Sequence, residues 1–191
     1  MTDAASATSS AVERSLLIVW HSRTGASRQL AAAAAKGARE SLRDAAGGLM
    51  RQDGTQEARV RIDCVHARAV DAQRVCAASA YLFVAPENLA SLSGVMKDFF
   101  DRTYYGVLDR VAGRPYAVII AAGSDGQGAA RQVERIATGW RLRKVAEPAI
   151  VITRAQSAEA ILAPKHLVQE DLARAAEIGA GLAQGLAAGI F

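Results

Sequence analysis

Short, unbroken apolar runs alternate along the chain with longer stretches in which apolar residues recur every three or four positions. Leu16 to Trp20, Tyr81 to Ala85 and Pro115 to Ala122 are the clearest runs. Each has strand length and no polar face, the signature of a strand covered on both sides. Arg59 to Val65 alternates instead, Val60, Ile62 and Cys64 against Arg61 and Asp63, which predicts a half-buried strand at a sheet edge. Ala149 to Thr153 supplies a fifth strand. Helices are predicted over Ala26 to Leu42, stopping before Gly47-Gly48, over Asp71 to Ala78 with Asp71 as its cap, and over Ser91 to Tyr105, Gln127 to Leu142 and Gln169 to Leu186. Within the third helix Val95, Met96, Phe99, Phe100 and Tyr104 form a broad core stripe. The polar stretch Arg51 to Glu57 reads as a loop.

Strands that alternate with helices imply a parallel sheet with right-handed crossovers and helices on both faces. Five strands, the alternating one at an edge, favour the doubly wound order 2-1-3-4-5 over the six-stranded 3-2-1-4-5-6. No internal repeat or second domain is visible, so residues 14–191 are expected to form one domain. Met1 to Ser10 are small, polar and free of Lys and Arg. That composition suits a disordered tail over residues 1–13 better than a secretory leader.

Composition adds limits. The 191 residues, 51% of them hydrophobic, can bury a sizeable core. No apolar stretch approaches the ~20 residues of a membrane span, and no membrane association is expected. Cys64 and Cys76 form no paired metal-ligand spacing with each other or with the three histidines, of which only His66 is near. They are expected to be reduced thiols of a cytoplasmic protein, with no metal site. The net charge is +4 and the pI about 9.4. Arg131, Arg135, Arg141, Arg143 and Lys144 form the densest basic patch. It reads either as a solvated helix face or as an attractor for an anionic nicotinamide phosphate. Without interleaved aromatics it does not suggest nucleic-acid binding.

Three loops follow three of the strands. In an open parallel sheet, ligands bind beyond the carboxyl ends of the strands, where the strand order reverses. The first loop, Ser22-Arg23-Thr24-Gly25-Ala26-Ser27, offers hydroxyls, a glycine turn and the positive start of a helix. Those are the parts of a phosphate cradle. It lacks the Gly-Lys-Ser/Thr ending of a Walker loop and the Gly-x-Gly-x-x-Gly of a dinucleotide turn. The second, Pro86-Glu87-Asn88-Leu89-Ala90, can border a planar ring and offer it backbone donors and acceptors. The third, Gly123-Ser124-Asp125-Gly126-Gln127-Gly128, lets backbone approach a flat ligand closely. His21, at the end of the first strand, is read as a locally packed histidine; Tyr104, Tyr105 and Asp109 are candidates for the rim.

These segments resemble the flavodoxin-like superfamily, and within it the flavodoxins and the NAD(P)H-dependent FMN reductase-like proteins. The first loop is similar to the family's Ser-x-Thr-Gly-Asn-Thr loop, which holds the FMN phosphate. Pro86-Glu87-Asn88 and Ser93-Gly94-Val95-Met96-Lys97-Asp98-Phe99-Phe100-Asp101-Arg102 resemble the second loop and the reductases' Ser-Gly-x-Leu-Lys-x-Phe-x-Asp-Arg helix. Gly123 to Gly128 falls where a third flavin loop belongs. The resemblance implies a three-layer flavodoxin-like sandwich and an FMN site built from Ser22 to Ser27, Pro86 to Ala90, and Gly123, Ser124, Asp125, Gly126 and Gly128. It gives Lys97, Asp101 and Arg102 structural roles. Two departures stand out: Ala26 replaces the usual Asn, and no loop carries a Trp or Tyr to stack on the flavin.

The expected function is an oxidoreductase passing electrons from NAD(P)H through FMN to a small acceptor such as a quinone. No acid–base catalyst is assigned, because the flavin supplies the chemistry. Two alternatives stand beside it: a one-electron carrier, which usually has an acidic face, and a flavodoxin-fold protein that has lost its flavin. By analogy with such reductases, a homo-oligomer is expected.

Overall fold

A computed structural model describes residues 13–47 and 59–191. The expected tail (apart from Glu13), the Arg51 to Glu57 loop and Gly48 lie outside the described residues. In chain order the elements are β1 (Arg14–Trp20), α1 (Ala26–Gly47), β2 (Val60–His66), a 3-10 turn (Ala67–Ala69), α2 (Ala72–Ala77), β3 (Ala80–Asn88), β4 (Ser91–Leu92), α3 (Gly94–Val107), β5 (Pro115–Ala122), α4 (Gln127–Gly139), β6 (Arg143–Lys144), β7 (Ala149–Ile152), α5 (Ala158–Leu162) and α6 (Gln169–Ala187).

The five principal strands run parallel in the order β2-β1-β3-β5-β7, the expected 2-1-3-4-5. The far edge is divided. β6 pairs with the start of β5 at Pro115 and Tyr116, and β7 with its end from Ile119 to Ala122. Alternation along β3 splits the core in two. Tyr81, Phe83 and Ala85 join the side chains of α2, α3 and α4 on one face, and Ala80, Leu82 and Val84 join those of α1 and α6 on the other. This is a flavodoxin-like three-layer sandwich. The first core is aromatic, with the Phe83 ring 5.0 Å from Phe100 and 6.3 Å from Trp140. The second is built on small residues. Gly37 lies against the Ala176 backbone and Gly179 against the Ala34 backbone, so close that a Cβ at either would overlap the opposing carbonyl oxygen.

Local chemistry sets the element ends. The Asp71 carboxylate accepts from Arg74 N–H at 2.8 Å, capping α2 as expected. α3 starts at Gly94 and not Ser91, because Ser91 and Leu92 return as a strand against β3. α4 stops at Gly139: Arg141 adopts φ +56°, and Arg143 and Lys144 leave to pair with β5. Two of the five residues of the basic patch are ion-paired there. Arg141 pairs with Asp109 at 2.7 Å, Lys144 with Glu134 and Glu147 at 3.0 and 2.9 Å, and Arg143 lies over the Phe191 ring. Along α3, Lys97–Asp101 and Asp98–Arg102 are exposed ion pairs of 2.6 and 2.7 Å. Arg102 also donates to the Ala67 and Val70 carbonyls. No described helix is long and apolar enough to cross a membrane.

Candidate functional site

β1, β3 and β5 end side by side, and the loops that leave them enclose a cavity of about 480 Å³, within the roughly 300–1,000 Å³ of small-molecule sites. Ser22, Arg23, Thr24, Ala26 and Ser27 line it from the first loop, Pro86 to Ala90 from the second, and Gly123 and Ser124 from the third. Twelve of the sixteen expected site residues therefore meet around one space.

The first loop is folded by its own side chains. Gly25 turns at φ +99° and its N–H donates to Ser22 Oγ at 3.0 Å. Gly25 itself does not line the cavity, so this N–H shapes the cradle without facing a ligand. α1 begins at the next residue, with the unpaired N–H groups and positive dipole end of a helix start. In its first turn stands Ser27, fully buried, with no hydrogen-bond partner for Oγ. A buried hydroxyl left unpaired costs about 1–3 kcal/mol. Of the two such side-chain atoms among the described residues, Trp140 Nε1 belongs to the aromatic core and Ser27 Oγ to a residue of the cavity lining. A helix start, an orphaned hydroxyl and the guanidinium of Arg23 together fit a bound phosphate monoester.

The second loop is a hairpin and not a strand-to-helix turn. β3 continues through Pro86, whose lack of an N–H is tolerated there, and Glu87 and Asn88 pair with Leu92 and Ser91. Leu89 and Ala90 form the two-residue turn at φ +53° and +55°. Such turns normally use Asn-Gly, and a residue with a Cβ held there costs roughly 1–2 kcal/mol. α4 holds the hairpin in place. The Glu87 carboxylate accepts from Gly126 N–H at 2.7 Å and Ala129 N–H at 3.3 Å, capping the helix, and Gln132 Oε1 accepts from Ser91 Oγ and Leu92 N–H. The strain is thus kept in a fixed wall, and Leu89 is 100% exposed at its tip.

The third loop departs furthest from expectation. Asp125, Gly126 and Gly128 do not line the cavity. A Cβ on Gly128 would overlap the Ala90 carbonyl oxygen, and one on Gly126 would press on Ile150. These glycines serve protein contacts, bringing α4 against the hairpin and β7. Tyr104, Tyr105 and Asp109 are likewise absent from the lining; both tyrosines are exposed on α3 and Asp109 is paired with Arg141. Ala121, Ala122 and Thr153, at the ends of two expected strands, also line the cavity, and Ala155, Ile161, Leu162 and Lys165 complete it from a segment that sequence reading passed over.

His21 packs locally, as expected: Nδ1 shares a 2.7 Å hydrogen bond with buried Ser93 Oγ, and its ring meets His66 edge-on. Burial holds its pKa below the ordinary 6.5, helped by His66, Arg68 and Arg23. The unfolded chain then binds a proton that the folded chain resists. The stability from this neutral histidine is present above pH 6.5 and is lost as the pH falls through the window below it. Urea midpoints are expected to drop between pH 7.5 and pH 5, and less so in His21→Gln; equal drops would contradict this.

Residues 20–157 match the sequence profile of a family described as NADPH-dependent FMN reductase. Among solved structures the chain is similar to a flavodoxin from the domain Archaea, with a TM-score of 0.64 and 14% identity over 90% of this chain and 98% of that one. It is similar also to a flavodoxin, WrbA-like protein from Agrobacterium tumefaciens (TM-score 0.60, 16% identity, 91% and 97% covered). Oxidised Flavodoxin 1 from Bacillus cereus is a third (TM-score 0.62, 17% identity, 89% and 97% covered). At these identities the likeness is one of fold. No curated protein matches the chain.

Proposed function

The chain belongs to the NADPH-dependent FMN reductase family, and from that premise we propose that it holds FMN in the cavity described and passes electrons from NAD(P)H to a small acceptor such as a quinone. Membership makes it an FMN-binding flavoprotein oxidoreductase; the donor, the acceptor and the residues named here are the proposal. The single observation that carries it is the orphaned Ser27 hydroxyl at the start of α1, on a residue that lines a cavity in the size range of small-molecule sites. Ser27 Oγ–H and the first N–H groups of α1 would donate to the phosphate, with Arg23 supplying charge. Pro86 to Ala90, together with Ala155, Ile161 and Leu162, would exclude water from the ring. Bound FMN supplies two-electron and one-electron transfer. Among the described residues no aromatic side chain lines the cavity, which suits a ring face left open to nicotinamide and acceptor in turn.

The purified protein is expected to show flavin bands after FMN addition and desalting, and to lose them on addition of NADPH or NADH under anaerobic conditions. Ser27→Ala should weaken FMN about tenfold, the scale of one hydrogen bond to a charged group, and leave riboflavin binding unchanged. Absence of retained flavin would overturn the site. Retained flavin that neither reduced nicotinamide bleaches would overturn the reductase and favour an electron carrier.

A further inference from the structure

A second part of the cavity wall is held by very different means. Residues 154–168 join β7 to α6 and contribute Ala155, Ile161, Leu162 and Lys165 to the lining. α5, within this segment, is five residues long and has no buried residue. Ile161 and Leu162 are 51% and 66% exposed. A helix this short, with its apolar pair uncovered, has little intrinsic stability and little packing.

Its polar attachments converge on one place. Lys165 N–H donates to the Thr24 carbonyl at 2.7 Å. Gln29 Nε2 donates to the Lys165 carbonyl at 2.6 Å and the Gly25 carbonyl at 3.2 Å, while its Oε1 accepts from Leu167 N–H at 3.3 Å. Lys165 Nζ in turn closes the end of α5, donating to the carbonyls of Ala160, Ile161 and Ala163 at 2.6, 3.2 and 2.6 Å. Thr24 and Gly25 are the residues that turn the first loop. Gln29 stands one turn along α1 from Gly25, outside the cavity lining.

We infer that residues 157–167 form a flap whose closure is set by the first loop, with Gln29 as the positioning residue that couples them. This rests on the flavin reading of the cavity. A phosphate seated at Ser22 to Ser27 fixes the carbonyls of Thr24 and Gly25. Gln29 and the Lys165 backbone then fix the flap, and with it Ile161 and Leu162. Phosphate and ring are recognised together, and FMN is selected over riboflavin by more than its phosphate contacts alone. A ligand shifts such an equilibrium only through its different affinity for the open and closed forms; here the phosphate supplies the difference.

Trypsin reads the flap directly, because the Lys165–His166 bond lies within it. With both flavins at saturating occupancy, FMN is expected to slow cleavage there about tenfold, the scale of a few coupled hydrogen bonds, and riboflavin far less. Gln29→Met keeps the side-chain length without its hydrogen bonds; it should still take up FMN, but be cut at one rate with either flavin. Gln29→Glu keeps the acceptor for Leu167 and turns an oxygen toward the two carbonyls. It is expected to free the flap likewise, and stands in if the first variant does not fold. FMN retained by the wild type with equal cleavage in FMN, riboflavin and no flavin would overturn the flap and leave the flavin site standing. So would FMN protection that survives in both variants. Failure of the wild type to bind either flavin would overturn the site and the flap together.

Discussion

Gly179→Val is expected to lower the unfolding free energy by about 3 kcal/mol, the upper part of the usual range for overfilling a packed core. Two residues away on α6, Gly181→Ala should raise it by up to about 1 kcal/mol, the helix-propensity gain of alanine. The difference lies in what a Cβ meets. At Gly179 it would enter the Ala34 backbone of α1, and backbone atoms cannot rotate aside; at Gly181 nothing stands within 4 Å. The reciprocal contact at Gly37 means that separating the helices at one crossing loosens both. For a domain of this length the valine variant should melt about 6–12 °C below the wild type, at roughly 2–4 °C per kcal/mol. Calorimetry of the two variants checks the pair. Equal small shifts would show that α1 and α6 slide apart at little cost.

The second large effect is functional. In Gly128→Ala the new methyl group would collide with the Ala90 carbonyl, and the hairpin cannot tilt away without straining the Glu87 and Gln132 hydrogen bonds that hold it. The wall formed by Leu89 and Ala90 should shift by about 1 Å, a displacement that costs on the order of 100-fold in rate when it misplaces reacting groups. NAD(P)H oxidation is therefore expected to fall about 100-fold while the far-UV spectrum stays native. Activity within threefold of the wild type would show that the hairpin does not set the geometry of the reaction.

The sheet and its order were legible because buried strands need uninterrupted apolar residues: Leu16 to Trp20 and Pro115 to Ala122 are too short and too uniformly apolar for amphipathic helices. The place of Ser27 was legible too, because a polar loop between an apolar strand and the helix after it ends at the strand's carboxyl edge, where the cavity lies. The hairpin was not. Leu89-Ala90 carries none of the Asn or Gly chemistry that marks a left-handed turn, and the conformation is imposed by Glu87 and Gln132 from outside the turn. Gly126 and Gly128 misled for the converse reason: a glycine that admits a ligand and one that admits a neighbouring side chain or carbonyl look the same in sequence. The flap left no periodic trace, because α5 buries nothing and its anchors come from Gln29, far upstream. What the sequence reading found is what local pattern encodes; what it passed over is held by single side chains acting across the fold.

The α1–α6 crossing bears on how the molecule is made as well as on how stable it is. One whole face of the sheet is covered by two helices from opposite ends of the domain, and the Gly37–Ala176 and Ala34–Gly179 contacts form only when both are present. A nascent chain that has completed β1, α1, β2 and β3 still lacks α6, which packs on β1, β2 and β3. Contacts this distant in sequence must absorb their loop-closure entropy before they return anything. During synthesis the half-covered sheet is a sticky surface waiting for its last helix, and such surfaces are where chaperones act.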